Sequence, residues 1–185
     1  MPRSPLLCHL LVACAAAATA SPAAAQGRDT PAVFVQGGVG EDGVRAASVG
    51  VAWALPWRTL RRGSEISTRM EVFASDWRTP RIGGGHRSLL QLGAVPLVRL
   101  RPQEGRSPWF LEGGIGVSVL DRGFETPHRT FSTRLNFSDN LGLGRSFGAQ
   151  GGQEVSLRWQ HTSNAGIRKP NPGLDLLLVR YSARF

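Results

Sequence analysis

Cysteine is missing from most of this chain: the only two, Cys8 and Cys14, lie near its start. The long remainder can therefore use neither disulfide staples nor a thiol nucleophile. Lysine is almost as scarce, since Lys169 is the only lysine among 22 basic residues, and arginine carries the net charge of +9. Long apolar runs are lacking too. Beyond residue 25 no stretch approaches the roughly 18 uncharged apolar residues of a membrane-spanning helix, which excludes a helical membrane protein. His86 and His128 are isolated, without metal-ligand spacing to each other. Gly38-x-Gly40-x-x-Gly43 matches a dinucleotide fingerprint by letter, but a strand pattern follows it where a helix is required. Neither a metal nor an organic cofactor is indicated.

Glycine, by contrast, is abundant. All 23 glycines lie after residue 25, well above an ordinary usage of about 7%. Each would cost up to about 1 kcal/mol inside a helix, so a helical bundle is disfavoured. The basic charge first suggests a nucleic-acid binder, and the N-terminus argues against it. Residues 1–25 begin with a short cationic segment containing Arg3, continue uncharged from Leu6 to Ala18, and end in Ala23-Ala24-Ala25. This is a secretory signal pattern with cleavage expected before Gln26. Leu11-Val12-Ala13-Cys14 also fits a lipoprotein cleavage box, and a buried N-terminal helix is the bland alternative. The expected organisation is a signal peptide over 1–25 and one domain over 26–185. Export leaves the positive charge in need of an anionic partner other than nucleic acid.

Apolar and polar residues alternate with period 2 in about eight segments: 32–40, 46–57, 64–74, 88–100, 109–120, 131–143, 154–161 and 175–185. In the seventh, Val155, Leu157 and Trp159 alternate with Glu154, Ser156, Arg158 and Gln160. Such a pattern fits either a soluble sandwich with an apolar interior or a membrane barrel with an apolar exterior. Three features favour the barrel. The segments approach the 9–11 residues of a tilted membrane strand. Trp57, Trp77, Trp109, Phe131, Trp159 and Phe185 lie near segment ends, where aromatic girdles form. Gly114, Gly116, Ser118, Ser132, Gly142 and Gly144 are small enough for a narrow lumen. The expected fold is all-β, an eight-stranded antiparallel transmembrane β-barrel. Periplasmic turns fall near 58–63, 101–108 and 144–153, and outward loops near 40–45, 75–87, 121–130 and 162–174.

The last outward loop contains His161-Thr162-Ser163-Asn164-Ala165-Gly166, then Pro170-Asn171-Pro172-Gly173, then Asp175. On a strand, residues i and i+2 share a face, so His161 and Ser163 point the same way as Leu157 and Trp159, toward lipid. Asp175 shares the parity of Leu177, Val179 and Tyr181. A hydroxyl, an imidazole and a carboxylate can thus meet outside the barrel, which is the logic of a Ser-His-acid hydrolase. The plain alternative is a strand end, a turn and a solvated cap.

From Arg158 to Phe185 the chain resembles the signature of the lipid A 3-O-deacylase (PagL) family: His-x-Ser-Asn-Ala-Gly, Pro-Asn-x-Gly, an acidic residue and an aromatic end. The resemblance implies an outer-membrane hydrolase that removes the ester-linked hydroxyacyl chain at the 3-position of lipid A in lipopolysaccharide. It matches His161 to the base, Ser163 to the nucleophile and Asp175 to the acid, where the family is best known with glutamate. Asn164, Gly166 and Asn171 fall on motif positions that support the loop or the oxyanion, with backbone N–H groups from 164 to 166 as the candidate donors. The outward-loop cations Arg78, Arg81, Arg87, Arg122, Arg129, Arg168 and Lys169 become candidate contacts for lipid phosphates, with Arg168 and Lys169 nearest the motif, the alternative being that they simply match an anionic membrane surface. A homodimer stays open. The reading from another class is a non-enzymatic small barrel of structural or adhesive type.

Overall fold

The computed structural model describes residues 30–185. The expected signal peptide therefore lies outside the described residues. Eight strands follow in chain order: β1 (Ala32–Gly40), β2 (Arg45–Arg61), β3 (Ser64–Pro80), β4 (His86–Pro102), β5 (Trp109–Leu120), β6 (Leu135–Phe147), β7 (Gln153–Ser163) and β8 (Leu174–Arg184). Each pairs antiparallel with its neighbours, and β1 pairs with β8 to close a barrel. Three single turns of 3₁₀ helix, Glu41–Gly43, Gln103–Gly105 and Ala149–Gly151, cap hairpins.

Alternation dictates which side is which. Val33, Val35, Val49, Val72, Leu92, Leu111, Val117, Leu143, Leu157 and Val179 project from the outer wall, each at least 41% exposed. Arg69, Glu71, Arg99, Glu112, Glu154, Arg158 and Arg180 are buried inside it. In water this arrangement would cost tens of kcal/mol of exposed apolar area, whereas hydrocarbon makes it favourable. The barrel is of the transmembrane kind.

The inner polar face holds more than small residues. Arg158 donates to Glu71 at 2.7 Å and to Glu112 at 2.6 Å, Arg180 reaches Glu71 at 2.7 Å, and Arg99 joins Glu112 and Glu154, each at 2.7 Å. The Arg180 and Arg99 guanidinium carbons also lie 3.7 Å and 3.8 Å from the ring centres of Phe34 and Phe110. An ionic plug thus fills the lumen. A second, apolar plug at the end carrying the longer loops consists of Trp77, Leu89, Leu120, Phe124, Phe131, Leu174, Leu176 and Leu178.

Several expectations need correction. Trp77 is fully buried and meets Phe124 edge-on at 5.9 Å, because β3 continues to Pro80 and carries Trp77 on the inner parity of Phe73 and Ser75. Phe131 is also inside, 4.4 Å from Phe124, so neither aromatic belongs to a girdle. Trp57, Trp109, Trp159 and Phe185 do face outward. β6 starts at Leu135, four residues later than the pattern suggested, since Phe131 folds inward from a loop where strand parity has no meaning. Ser132 accordingly lies outside the lumen, in that loop. The hairpins also run longer: β3 and β4 are joined by residues 81–85 alone, and β2 and β3 by residues 62–63.

Candidate active site

At the loop end, antiparallel register sets His161 of β7 directly opposite Asp175 of β8. Both point out of the barrel, and His161 Nδ1 lies 2.6 Å from Asp175 Oδ1. A carboxylate only accepts hydrogen bonds, so Nδ1 is the donor, and in a neutral imidazole Nε2 is the acceptor. Direct opposition is the geometry in which the shorter aspartate side chain suffices. Trp159, two residues back on the same face, stacks on the imidazole with centroids 5.9 Å apart and planes 21° apart. Gly173 covers the ring from the loop: a Cβ there would be 2.6 Å from His161 Cε1 and 3.1 Å from Nε2. Its φ of +69° is also the left-handed conformation that glycine adopts without strain. The imidazole is held on two sides.

Ser163 is the last residue of β7, two positions beyond His161 and on the same face. It is 9% exposed, and its Oγ accepts one long hydrogen bond, from Ala165 N at 3.4 Å. Thr162, between them, faces the lumen and is fully buried. The structure thus joins His161 to Asp175 on the outer wall and sets Ser163 two residues further on the same parity, with no hydrogen bond between Ser163 and His161.

The neighbouring motif residues tie the loop. Asn164 Nδ2 donates to Ser132 Oγ at 3.0 Å and to Arg168 O at 2.8 Å, while its backbone N–H donates to Asn171 Oδ1 at 3.0 Å. Asn164 Oδ1 in turn accepts Gly166 N at 3.0 Å. The hydrogen bonds of Asn164, Gly166 and Asn171 are therefore those of loop support. Arg168 and Lys169 extend from this loop with exposed side chains. Arg129 does not: its side chain is 22% exposed and bonded within the protein.

Sequence reasoning missed Asp139. It is opposite His161 on the β6 side, so the outer wall carries the row Asp139, His161, Asp175 across three strands. Parity of β6 is readable in the sequence, but its register with β7 is not, because the alternation does not mark where the loop ends and β6 begins. Phe137, opposite Ser163, and Leu135 and Leu141 continue this wall as an apolar strip. Among the described residues no group of three or more His, Cys, Asp or Glu is placed to hold a metal ion.

With this geometry in view, comparison with known proteins is decisive for the family. The family model described as lipid A 3-O-deacylase (PagL) matches residues 45–184, from the first residue of β2 through the last of β8. The chain belongs to the lipid A 3-O-deacylase (PagL) family. It is 35% identical over 120 residues to the lipid A deacylase PagL of Bordetella bronchiseptica, an alignment covering 62% of this chain and 61% of that protein. It is 38% identical over 72 residues to the lipid A deacylase PagL of Pseudomonas aeruginosa, covering 39% and 40% of the two chains. The aligned part thus spans less than two thirds of either relative. A crystal structure of the outer membrane enzyme PagL superposes with a TM-score of 0.72 at 24% identity, over 83% of this chain and 99% of that one, which establishes a common barrel fold.

Proposed function

We propose that this protein is an outer-membrane esterase that removes the hydroxyacyl chain from the 3-position of lipid A, using Ser163, His161 and Asp175. The observation that carries the reading is the 2.6 Å contact of His161 Nδ1 with Asp175 Oδ1, on the same lipid-facing patch as Ser163. It falls within the stretch matched by the PagL family model. A triad on an outer wall, rather than in a cleft, suits a substrate that is itself a membrane lipid. The loop end then faces the outer leaflet, where lipopolysaccharide resides.

In this mechanism His161 Nε2 takes the Ser163 hydroxyl proton as Oγ attacks the ester carbonyl, and Asp175 stabilises the resulting imidazolium. The tetrahedral intermediate collapses by breaking the bond to the sugar oxygen, which receives the proton from His161. Water then repeats the sequence on the acyl-serine, releasing a hydroxy fatty acid and restoring Ser163. Ala165 N–H, already beside Ser163 Oγ, is the backbone donor best placed to approach the developing oxyanion. The acyl chain lies along Leu135, Phe137 and Leu141, and Arg168 and Lys169 meet lipid phosphate.

Purified protein incubated with lipid A in detergent tests this reading. Mass spectrometry should record loss of one hydroxyacyl group, and fragmentation should locate it at the 3-position. An unchanged spectrum would sink the enzyme reading in favour of a structural or adhesive barrel, and loss from another position would correct the regiochemistry. Gly173→Ala offers a local check. Its methyl group must displace the imidazole at an already left-handed backbone position, and a misplacement of about 1 Å costs on the order of 100-fold in rate. Initial rates should fall by that order while heat-modifiable gel mobility stays that of the wild type.

A further inference from the structure

One side chain spans three of the outward loops. Arg129, in the loop between β5 and β6, donates from Nη1 to the Gly173 carbonyl at 2.9 Å and from Nη2 to Glu41 Oε1 at 2.8 Å. Its Nε lies 3.3 Å from Asp42 Oδ2. Gly173 covers the His161 ring. Glu41 uses its other oxygen, Oε2, to accept the backbone N–H of Asp175 at 3.0 Å. The guanidinium thus reaches both partners of the hydrogen-bonded pair by separate routes, through Gly173 to the imidazole and through Glu41 to the carboxylate.

Its own position is firmly set. Thr126 N donates to Arg129 O at 2.7 Å, Arg129 N donates to Thr126 Oγ1 at 2.9 Å, and that hydroxyl donates to Asp42 Oδ2 at 2.9 Å. Arg87 Nη2 anchors the same loop from β4 by donating to Glu125 O at 2.8 Å. Three loops distant in sequence, those holding Glu41, Arg129 and Gly173, converge on this one planar cation. Only a guanidinium presents donors in three fixed directions, and an ammonium supplies the charge without the fork.

We infer that Arg129 is a positioning residue for His161 and Asp175, rather than a contact for lipid phosphate. This rests on the proposed roles of those two residues. Holding Gly173 against the ring and Asp175 at the head of β8 fixes the imidazole where its Nε2 can serve Ser163. Loss of the fork leaves substrate binding intact and lowers the fraction of productive geometry.

Steady-state hydrolysis of lipid A in detergent micelles tests the assignment. Arg129→Ala should lower kcat by about 10- to 100-fold with KM within about twofold of wild type, and Arg129→Lys should recover only part of the loss. Glu41→Gln should lower kcat less. Because Glu41 lies on one of the two routes that Arg129 already serves, the double variant should be no more than about twofold below Arg129→Ala. A raised KM with unchanged kcat would overturn the inference in favour of a phosphate contact, as would full rescue by lysine or multiplicative losses in the double variant. Heat-modifiable mobility reports folding; if Arg129→Ala does not fold, Arg129→Lys and Glu41→Gln carry the same kcat and KM comparison. His161→Ala distinguishes the two levels: activity surviving in it refutes the site itself, whereas inactive His161→Ala beside unimpaired Arg129→Ala refutes only the role of Arg129.

Discussion

Replacing Ser163 by alanine is expected to reduce the rate of lipid A hydrolysis by about 10⁴- to 10⁶-fold, the range in which serine hydrolases lose their nucleophile. The loss should reside in kcat. Ser163 Oγ makes a single long contact, with Ala165 N at 3.4 Å, so the substitution removes little that holds the loop. Heat-modifiable mobility and urea midpoint should match wild type, within roughly 0.5 kcal/mol. Time courses of released hydroxy fatty acid provide the measurement. A rate within tenfold of wild type would remove Ser163 from the chemistry.

The opposite pattern is expected on the other side of the same strand. Arg158 is completely buried and joins Glu71 at 2.7 Å and Glu112 at 2.6 Å. Arg158→Met removes the cation that both carboxylates share. Glu71 keeps Arg180 and Glu112 keeps Arg99, but each loses a charged donor in a place water cannot easily fill. Breaking a buried pair from one side costs about 3–5 kcal/mol, mostly the penalty of the charge left behind. Urea unfolding in lipid vesicles should show a loss of that size, and a loss under about 1 kcal/mol would show that the plug contributes little. Folded Arg158→Met protein should still hydrolyse lipid A, because the side chain points inward and His161, three residues on, points outward.

The contrast explains which features could be read from the chain. β1 and β5 were legible to the residue, because glycine and proline clusters bound a clean alternation. The pair His161 and Asp175 was legible for the same reason: parity continues unbroken from Val155 and from Tyr181 into the last loop. Trp77 lies beyond the clear alternation that ends at Ala74, although its odd number places it with Phe73 once β3 continues to Pro80. Phe131 could not be read by parity, since its place depends on packing against Phe124 once the loop folds over the mouth. Asp139 and Arg129 belong to a further class. One needs the register of β6 with β7, and the other needs three loops brought together by closure of β1 on β8. Neither is a property of local sequence.

On the proposed reading, the placement of His161, Ser163 and Asp175 on the outer wall, with the lumen filled by ion pairs and aromatic rings, also sets how the protein would meet a lipid substrate. No ligand needs to climb out of the bilayer, thread a mouth or wait for a lid. Encounter would be a search in two dimensions, by lateral diffusion within one leaflet. Turnover would then respond to the mole fraction of substrate among neighbouring lipids rather than to its bulk concentration, and diluting the membrane with inert lipid would slow it by surface dilution.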